Sequence, residues 1–431
     1  MATWVLRDIG ELLTVSGPSP VRAGTTEQEA QQQAERALAV VHDATLIVSD
    51  GKVLFAGPSS DSPALHLLPQ PVLVQSARGQ LVTPGLCDPH THLIWAGDRS
   101  REFDLRNLGA SYQTIAEQGG GIASTVKATD QASDEALVEA TLKRLDTALC
   151  HGITSIEVKT GYGLVPASEL RLLRLIQAAR AQHPIAVSPT FLCHVLPPSA
   201  REGSERERLV AKLVDALELA KQQGADAIDV YCDVGAFTLA ETRRLLTRAQ
   251  QVGLLLRCHA EQFTYTGAAQ LAAELSARSV EHLEQLDEAG RAAMAHSQTV
   301  ANLLPGAALT LRLPWPDAAA LRHAGIAIAL GTDCNPGSSY TQSQQLMMSL
   351  ACTQMGMSCA EAWLAVTRQA ARSIGLDARG QLVPGAPADF VVWSADDFRQ
   401  VCQQLGHNLV RSVWVGGIEQ VRDGVRTDIP A

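Results

Sequence analysis

The chain has 431 residues, of which 46% are hydrophobic and 19% charged, a composition typical of a globular protein with a large core and not of a disordered one. Its formal net charge of -10 argues against a nucleic-acid or anionic-membrane partner, since either would call for clustered Lys and Arg. The 9 cysteines show no C-x-x-C spacing and are expected to be reduced, and the lack of a signal-like N-terminus or a long apolar run predicts a cytoplasmic protein without membrane segments.

Both ends of the chain have the pattern of β structure. Short β-like runs, Ala44 to Val48 and Lys52 to Ala56, are separated by a Ser-Asp-Gly turn, and Asp389 to Trp393 is similar. We therefore predict that the two ends pair into one small β-sandwich domain, composed of residues 1–83 and 379–431.

Between these ends a strand-then-helix rhythm repeats eight times, as expected of parallel strands joined by helical crossovers. The sequence thus predicts a (β/α)₈ barrel, a TIM-type α/β fold, over residues 84–378. The predicted strands are Leu81 to His92, Thr154 to Thr160, Ala186 to His194, Ala227 to Asp233, Gly253 to His259, Ser279 to His282, Thr299 to Leu304 and Ile326 to Asp333.

Two of the predicted barrel helices have clear limits. Before the second strand, Ser133 is a suitable N-cap and Gly152 a suitable terminator. Glu205 to Gln223 carries an apolar stripe and is followed by Gly224. Both segments are predicted to be amphipathic helices with their apolar faces toward the barrel.

The strongest local signal is the pair His90 and His92, which ends an apolar run. Alternate residues of a strand point to the same side, so both imidazoles can bind one metal ion. Two histidines that merely satisfy hydrogen bonds at a strand end are the alternative interpretation.

The positions of other polar residues favour the metal centre. His194, His259, His282 and Asp333 each end a predicted strand. In a barrel of this kind the carboxyl ends of the strands converge on the active-site face. We therefore expect these side chains to lie together with the first histidine pair.

The chain resembles the amidohydrolase superfamily over essentially its whole length. This resemblance implies a mononuclear site with one Zn²⁺ or Fe ion, bound by His90, His92, His259 and Asp333. The motifs that carry it are Asp88 to His92, Arg99, Gly119 to Ile122, Glu157 to Gly163, His194, His259 to Gln262, Ser279 to His282 and Gly331 to Ser338.

The residues themselves also favour one ion over two. Binuclear relatives bridge their ions with a carboxylated lysine on the fourth strand, and the predicted fourth strand, Ala227 to Asp233, has none. Lys159 lies on the second strand, where we expect structural pairing, with a chemical role as the lesser alternative.

The resemblance also implies a reaction, the hydrolysis of a ring amide. This reaction needs an activated water molecule and stabilisation of the oxyanion that forms. We expect Asp333 to take the water proton and pass it to the leaving nitrogen, and His282 to stabilise the oxyanion. A histidine that only orients a metal ligand is the alternative for His282.

Arg99 is expected to bind the carboxylate of a small anionic substrate, although a surface arginine is the simpler interpretation without the resemblance. Gln262 stands where some relatives, including cytosine deaminase, carry Glu, and since an amide cannot shuttle protons we expect it to bind the substrate. Glu261 is a weaker candidate because its side chain is expected to point elsewhere. The resemblance further implies substrate contacts from Tyr162, His194, Asn335, Gly337 and Ser338, with Tyr112 as an addition.

The resemblance implies an activity, namely hydrolysis of a small cyclic amide that carries a carboxylate. The resemblance also implies a homodimer. Deamination of a purine or pyrimidine is an alternative, against which Arg99 and Gln262 argue. A non-catalytic structural homologue is a further alternative, although such proteins usually lose metal ligands.

Overall fold

The computed structural model of the chain describes residues 3–18, 23–109 and 120–427. In these ranges the strands form two sheets, one of 8 strands and one of 9. Tyr112, predicted to contact substrate, lies outside the described residues.

The 8-stranded sheet is the predicted barrel. Every neighbouring pair of its strands is parallel, and the strands follow one another in chain order. An isolated parallel bridge between Thr91 and Cys334 joins the two edges just beyond the first and last strands. The strands are β6 Leu86–Asp88, β7 Ile153–Lys159, β8 Ala186–Cys193, β9 Ala227–Cys232, β10 Leu255–Ala260, β11 Ser279–His282, β12 Val300–Leu303 and β13 Ile328–Leu330.

The helices surround this barrel and pack on it through apolar faces. The predicted helix limits are confirmed, because Ser133 caps α4 by accepting from the Ala136 amide, and Gly152 and Gly224 follow their helices at φ 88° and 90°. The helices are α1 Glu27–Leu38, α2 Ser100–Asn107, α3 Ile122–Gln131, α4 Asp134–Cys150, α5 Pro166–Arg180, α6 Gly203–Gln222, α7 Leu239–Gln251, α8 Ala268–Glu274, α9 Glu288–Ala295, α10 Pro305–Leu311, α11 Ala318–His323, α12 Gln344–Gln354, α13 Cys359–Ala365, α14 Arg368–Ser373 and α15 Phe398–Gln403.

The second sheet is built from both ends of the chain, as predicted. The sheet curls on itself. Trp4 and Trp414 belong to strands that are three positions apart in the sheet, yet the centres of their rings lie 5.0 Å apart. Its order is β17-β16-β15-β14-β5-β1-β2-β3, with β4 also paired to β1. The strands are β1 Thr3–Leu13, β2 Val40–Ser49, β3 Lys52–Pro58, β4 Val72–Ser76, β5 Leu81–Pro84, β14 Phe390–Trp393, β15 Val410–Val415, β16 Ile418–Arg422 and β17 Val425–Arg426.

The predicted continuous first strand, Leu81 to His92, is wrong in two respects, because it is interrupted at Gly85 and because it ends at Asp88, before His90 and His92. It divides at Gly85, so that β5 belongs to the end sheet and β6 to the barrel. A Cβ atom at Gly85 would lie 2.1 Å from Oγ1 of Thr154, which leaves room there only for glycine. This crossing carries the chain directly from one sheet into the other.

The carboxyl ends of the barrel strands therefore face one end of the barrel, where the predicted site residues are found.

Among the described residues, none of the helices combines the length and the apolar character needed to cross a membrane.

Candidate metal centre and active site

Three histidines converge at this end of the barrel. His90, His92 and His259 each offer a ring nitrogen within 4.8 Å of the others. Asp333 completes the group, with its Oδ1 3.6 Å from Nε2 of His90 and 3.4 Å from Nε2 of His92. All four side chains are buried. The structure thus brings together the four predicted ligands.

The backbone at two of the predicted catalytic residues is unusual. His282 has φ 76° and Asp333 has φ 51°, values that residues with a Cβ rarely adopt. His282 is the last residue of β11 and Asp333 lies three residues beyond β13. The backbone amide of Asp333 donates to the carbonyl oxygen of His90 at 3.0 Å. Such strain is typical of functional sites, where surrounding packing fixes a side chain in an otherwise unfavourable position.

Buried carboxylates hold two of the histidine rings. Nδ1 of His90 lies 2.9 Å from Oε2 of Glu281, and Nδ1 of His259 lies 3.0 Å from Oδ1 of Asp229. Each contact leaves Nε2 of the ring as the nitrogen directed elsewhere. A carboxylate that fixes the far nitrogen of a histidine is the usual support for a metal ligand.

A buried cation pairs with one of these carboxylates, Asp229, and with a further one, Glu157. Nζ of Lys159 lies 2.7 Å from Oδ2 of Asp229 and 2.8 Å from Oε1 of Glu157, and all three side chains are fully buried. This ion pairing agrees with the structural role expected of Lys159. The lysine neutralises the carboxylate that holds His259.

Burial sets the protonation of the histidines. It lowers the pKa of His259 to about 4, despite the opposing effect of Asp229, and burial followed by the charge of Lys159 lowers that of His90. Both imidazoles are therefore neutral near pH 7, which is the form that binds a metal ion.

Asp333 stays ionised in this surrounding. Burial raises its pKa, but the hydrogen bond from His92 and the neighbouring charges of His92, His282 and His259 outweigh it, so that the pKa is lowered overall. A carboxylate in this position can act both as a metal ligand and as a proton acceptor.

His282 lies beside the same group. Its ring is 5.3 Å from that of His259 and 5.9 Å from that of His90. Burial lowers its pKa, but the Glu284 carboxylate, 3.5 Å from Nδ1, and the charges of Asp333 and Glu281 raise it overall. His282 is thus able to donate a hydrogen bond toward the centre.

Two predicted substrate residues line one side of the centre. The ring of His194 stacks on that of His92 at 5.7 Å, and the ring of Tyr162 lies 6.2 Å from His92. Nδ1 of His194 hydrogen-bonds the carbonyl oxygen of Gly161 at 3.1 Å, which fixes the ring.

Gln262 is held by a residue that the sequence did not single out. The hydroxyl of Tyr231 donates to Oε1 of Gln262 at 3.0 Å, and the Tyr231 ring lies 5.5 Å from that of His259. This leaves the amide nitrogen of Gln262 as a donor for a ligand. Glu261 points elsewhere, as expected, and accepts from the amides of Ala268 and Ala269 at the start of α8.

The loop after β13 connects the centre to Arg99. Asn335 donates to the carbonyl oxygen of Asp333 at 2.6 Å and accepts from the amides of Gly337 and Ser338. The Arg99 guanidinium packs against Gly337, where a Cβ atom would lie 2.2 Å from Nη1. All three predicted loop residues therefore lie between the metal-binding group and this cation.

Arg99 is not an unpaired cation. Its Nη2 and Nε lie 2.7 and 2.8 Å from Oε2 of Glu102. A second cation, Arg106, donates to the carbonyl oxygen of Gly337 at 3.1 Å. The pocket edge thus carries two arginines and one carboxylate, and the sequence reasoning missed Arg106 and Glu102.

The donor set fits a metal ion of the Zn²⁺ or Fe²⁺ class. Nε2 of His90 is buried and has no hydrogen-bond partner among the described residues, although its ring is fixed from the other side. A buried nitrogen of this kind is costly unless something else binds it. Three imidazoles and one carboxylate are suitable ligands for Zn²⁺ and Fe²⁺.

The supporting carboxylates Asp229 and Glu281 were also missed from the sequence. Both lie within predicted strands next to apolar residues, so that in the sequence each resembles an ordinary strand residue. A polar residue inside an otherwise buried strand was the available signal.

Comparison with known proteins agrees with this architecture. The sequence profile of the amidohydrolase family matches residues 81–418, and the chain therefore belongs to that family. An imidazolonepropionase of Rhizorhabdus wittichii is 42% identical over 385 residues, covering 88% of this chain and 95% of that protein. One of Myxococcus xanthus is 40% identical over 420 residues, covering 97% of each. Within the amidohydrolases, the chain belongs with the imidazolonepropionases.

Solved structures share the fold at low identity. A zinc-bound adenosine deaminase of Xanthomonas campestris superimposes with a TM-score of 0.74 at 18% identity, covering 100% of this chain and 95% of that one. A zinc complex of atrazine chlorohydrolase from Arthrobacter aurescens gives 0.76 at 15% identity, covering 99% and 97%. These likenesses concern the fold alone.

Proposed function

We propose that the protein hydrolyses the ring amide of 4-imidazolone-5-propanoate to N-formimidoyl-L-glutamate, a step of histidine degradation. The observation that carries this proposal is the 42% identity to an imidazolonepropionase over 88% of the chain. The convergence of His90, His92, His259 and Asp333 supports it, because hydrolysis by this family depends on such a centre.

A bound Zn²⁺ or Fe ion would polarise the ring carbonyl and acidify water. Asp333 accepts the proton of the attacking water and delivers it to the ring nitrogen as the C–N bond breaks. His282 donates a hydrogen bond to the oxygen that gains negative charge, and its raised pKa keeps the donor proton in place.

The remaining predicted residues bind and orient the substrate. Arg99 pairs with the propanoate, in exchange for part of its contact with Glu102. Gln262, oriented by Tyr231, hydrogen-bonds the imidazolone ring. Tyr162 and His194 contact the substrate on the side of His92. The loop after β13 contacts it through Asn335, Gly337 and Ser338.

One ion at the histidine centre is proposed, either Zn²⁺ or Fe. Lys159, a fully buried lysine, is paired with Glu157 and Asp229 and lies on β7, not on β9. A carboxylated lysine bridge between two ions would need it to leave that pairing. Elemental analysis of protein purified without added metal, compared with the same analysis of the variant H90A, identifies the ion bound at this centre.

A direct assay tests the function. Metal-loaded protein should deplete the absorbance of imidazolone propanoate, with N-formimidoyl-L-glutamate as the product identified by mass spectrometry. Guanine, cytosine and hydantoins serve as alternative substrates. Turnover of one of these instead of the imidazolone would establish the deaminase or a related activity, and no turnover of any would support the non-catalytic alternative.

We also propose that the protein works as a cytoplasmic homodimer, and that residues 1–83 with 379–431 form one domain and residues 84–378 the other. The dimer is an expectation from the family resemblance, and light scattering at working concentration tests it. A monomer mass would reject it. Limited proteolysis tests the division into domains, because the first cleavage should fall near the exposed residue 378 and not within either domain.

A further inference from the structure

Three cysteines on three different helices meet outside the barrel strands. Cys352 lies in the last turn of α12, Cys359 begins α13, and Cys402 lies near the end of α15. Their Sγ atoms are all within 4.8 Å of one another. None of them forms a disulfide. We refer to these three residues as the thiol cluster.

The helices that present the thiol cluster are fixed to each other. Nε1 of Trp363 on α13 donates to the carbonyl oxygen of Phe398 on α15 at 3.0 Å. Oγ of Ser349 on α12 donates to the carbonyl oxygen of Cys402 at 2.7 Å. Because these bonds join α12 and α13 to α15, the three thiols are held together by packed helices and not by loop conformation.

The spacing suits a metal ion bound by sulfur. Zn–S bonds of about 2.3 Å place the sulfur atoms of a tetrahedral site about 3.8 Å apart. Sulfur atoms already within 4.8 Å reach this spacing by side-chain rotation alone. Cys352 and Cys359 are partly exposed, so that a water molecule can supply a fourth ligand, whereas Cys402 is buried.

The surroundings favour the ionised form that a metal ion requires at one of the three thiols. The pKa of Cys359 is lowered by hydrogen bonds from the thiols of Cys352 and Cys402, and further by the positive charge of Arg399. The pKa values of Cys352 and Cys402 are raised by hydrogen bonds within the cluster, so these two thiols release their protons to solvent only when an ion binds.

We propose that Cys352, Cys359 and Cys402 form a second metal site, which takes a thiophilic cation such as Zn²⁺ and is separate from the histidine centre. Soft thiolate ligands select this class of ion. The ion would join α12 and α13, which follow the last barrel strand, to α15, which connects β14 and β15 of the end sheet. It is therefore a structural site, and it does not depend on the function proposed above.

Cobalt distinguishes the two sites. Metal-free, fully reduced protein is titrated with Co²⁺, which gives a strong near-ultraviolet charge-transfer band only where thiolates bind it. We expect two equivalents to bind, with the sulfur band accounting for one. The triple variant C352S/C359S/C402S should bind one equivalent without the band, whereas C150S, which removes a partly buried cysteine outside the cluster, should behave as wild type.

Several results would overturn the proposal. These are no sulfur band in the wild-type protein at saturating Co²⁺, a band that survives in the triple variant, or a disulfide in place of bound metal in protein purified under air, detected as a mass lower by two hydrogens. Circular dichroism checks that the triple variant is folded, and C359S alone provides the test if it is not. Imidazolone hydrolysis is measured in parallel, so that a missing activity with the sulfur band intact counts only against the proposed function.

Discussion

Asp333 contacts His90 and His92 through Oδ1, while Ser338 donates to its Oδ2 at 3.4 Å. One oxygen therefore faces the histidines and the other faces the substrate loop. This division lets the same carboxylate bind a metal ion and accept a proton. The ring of His282 lies beside this group, 5.9 Å from that of His90 and 5.3 Å from that of His259, which suits a separate role as a hydrogen-bond donor.

Replacing His282 with Ala tests that role. Loss of one oxyanion donor is expected to lower kcat by about 10²–10³-fold. Metal content should stay unchanged, because His282 is not among the residues whose nitrogen atoms converge. Steady-state kinetics and elemental analysis of the same preparation provide the measurement. A variant that has lost its metal would instead make His282 a residue that supports the ligands.

Replacing Arg99 with Ala tests substrate binding. Its guanidinium packs against Gly337, and we expect its loss to raise KM by about 10–100-fold, since a hydrogen bond to a charged group contributes about 1.5–3 kcal/mol. The exposed Arg101, in the first turn of the helix that Arg99 precedes, provides the control R101A, which should change KM little. Equal KM values for R99A and R101A would show that another cation binds the substrate carboxylate, and Arg106 would be the first candidate.

Strands β7 and β9 carry the charges beneath the histidines. Lys159 and Glu157 come from β7 and Asp229 from β9, and all three are fully buried. Removal of one member of such a group leaves an uncompensated buried charge. The strands thus support the ligand His259 through electrostatics as well as through backbone pairing.

Lys159→Met should therefore destabilise the protein by about 3–5 kcal/mol, the usual cost of breaking a buried ion pair. Metal affinity should also fall, by about 10–100-fold, because Asp229 loses the partner that positions it against His259. Lys143→Met, which removes an exposed lysine paired with Glu139, provides the control and should leave both properties unchanged. Thermal unfolding and a competitive chelator titration measure the two effects. Normal metal affinity in K159M would show that the network affects stability alone.

The crossing between the two sheets depends on one glycine. Gly85→Ala places a methyl group 2.1 Å from Oγ1 of Thr154, and we expect it to lower the free energy of unfolding by about 1–3 kcal/mol through overpacking. The second-site change Thr154→Ala should recover part of that loss. A double-mutant cycle from denaturation curves gives the coupling. Additive effects would mean that the backbone shifts to accommodate the new methyl group.

The whole barrel closes at the metal centre. His90 and His92 follow β6, Asp333 follows β13, and His259 lies on β10, on the far side of the barrel. The strand pairing between β6 and β13 is reduced to a single bridge at Thr91 and Cys334. An ion bound by these ligands would therefore connect both edges of the sheet with its middle.

Metal removal should lower the Tm of the protein. A ligand that binds only the folded state stabilises it by about 2.7 kcal/mol at a free concentration 100 times its Kd. Differential scanning calorimetry before and after chelation, and after reloading with Zn²⁺, measures the shift. The variant H90A, prepared in the C352S/C359S/C402S background to exclude the thiol cluster, should show no shift. A shift of equal size in that variant would place the stabilising ion elsewhere.

The sequence by itself determined the eight-fold strand-and-helix rhythm, the β structure of both ends, and the residues at the strand termini that could bind a metal ion. These features are local, since apolar periodicity, capping residues and glycine positions follow from short-range geometry. The prediction of Leu81 to His92 as one strand was wrong because the change of sheet at Gly85 depends on a contact with Thr154, which lies 69 positions later in the chain.

Only the tertiary structure decided which buried charges support the histidines. Asp229, Glu281 and Lys159 look like ordinary strand residues until parallel pairing places them under His259 and His90. The thiol cluster has the same origin, since Cys402 joins Cys352 and Cys359 only when α15 packs on α12 and α13. In each case the partners come from separate elements, and their distance is set by long-range packing that no local pattern records.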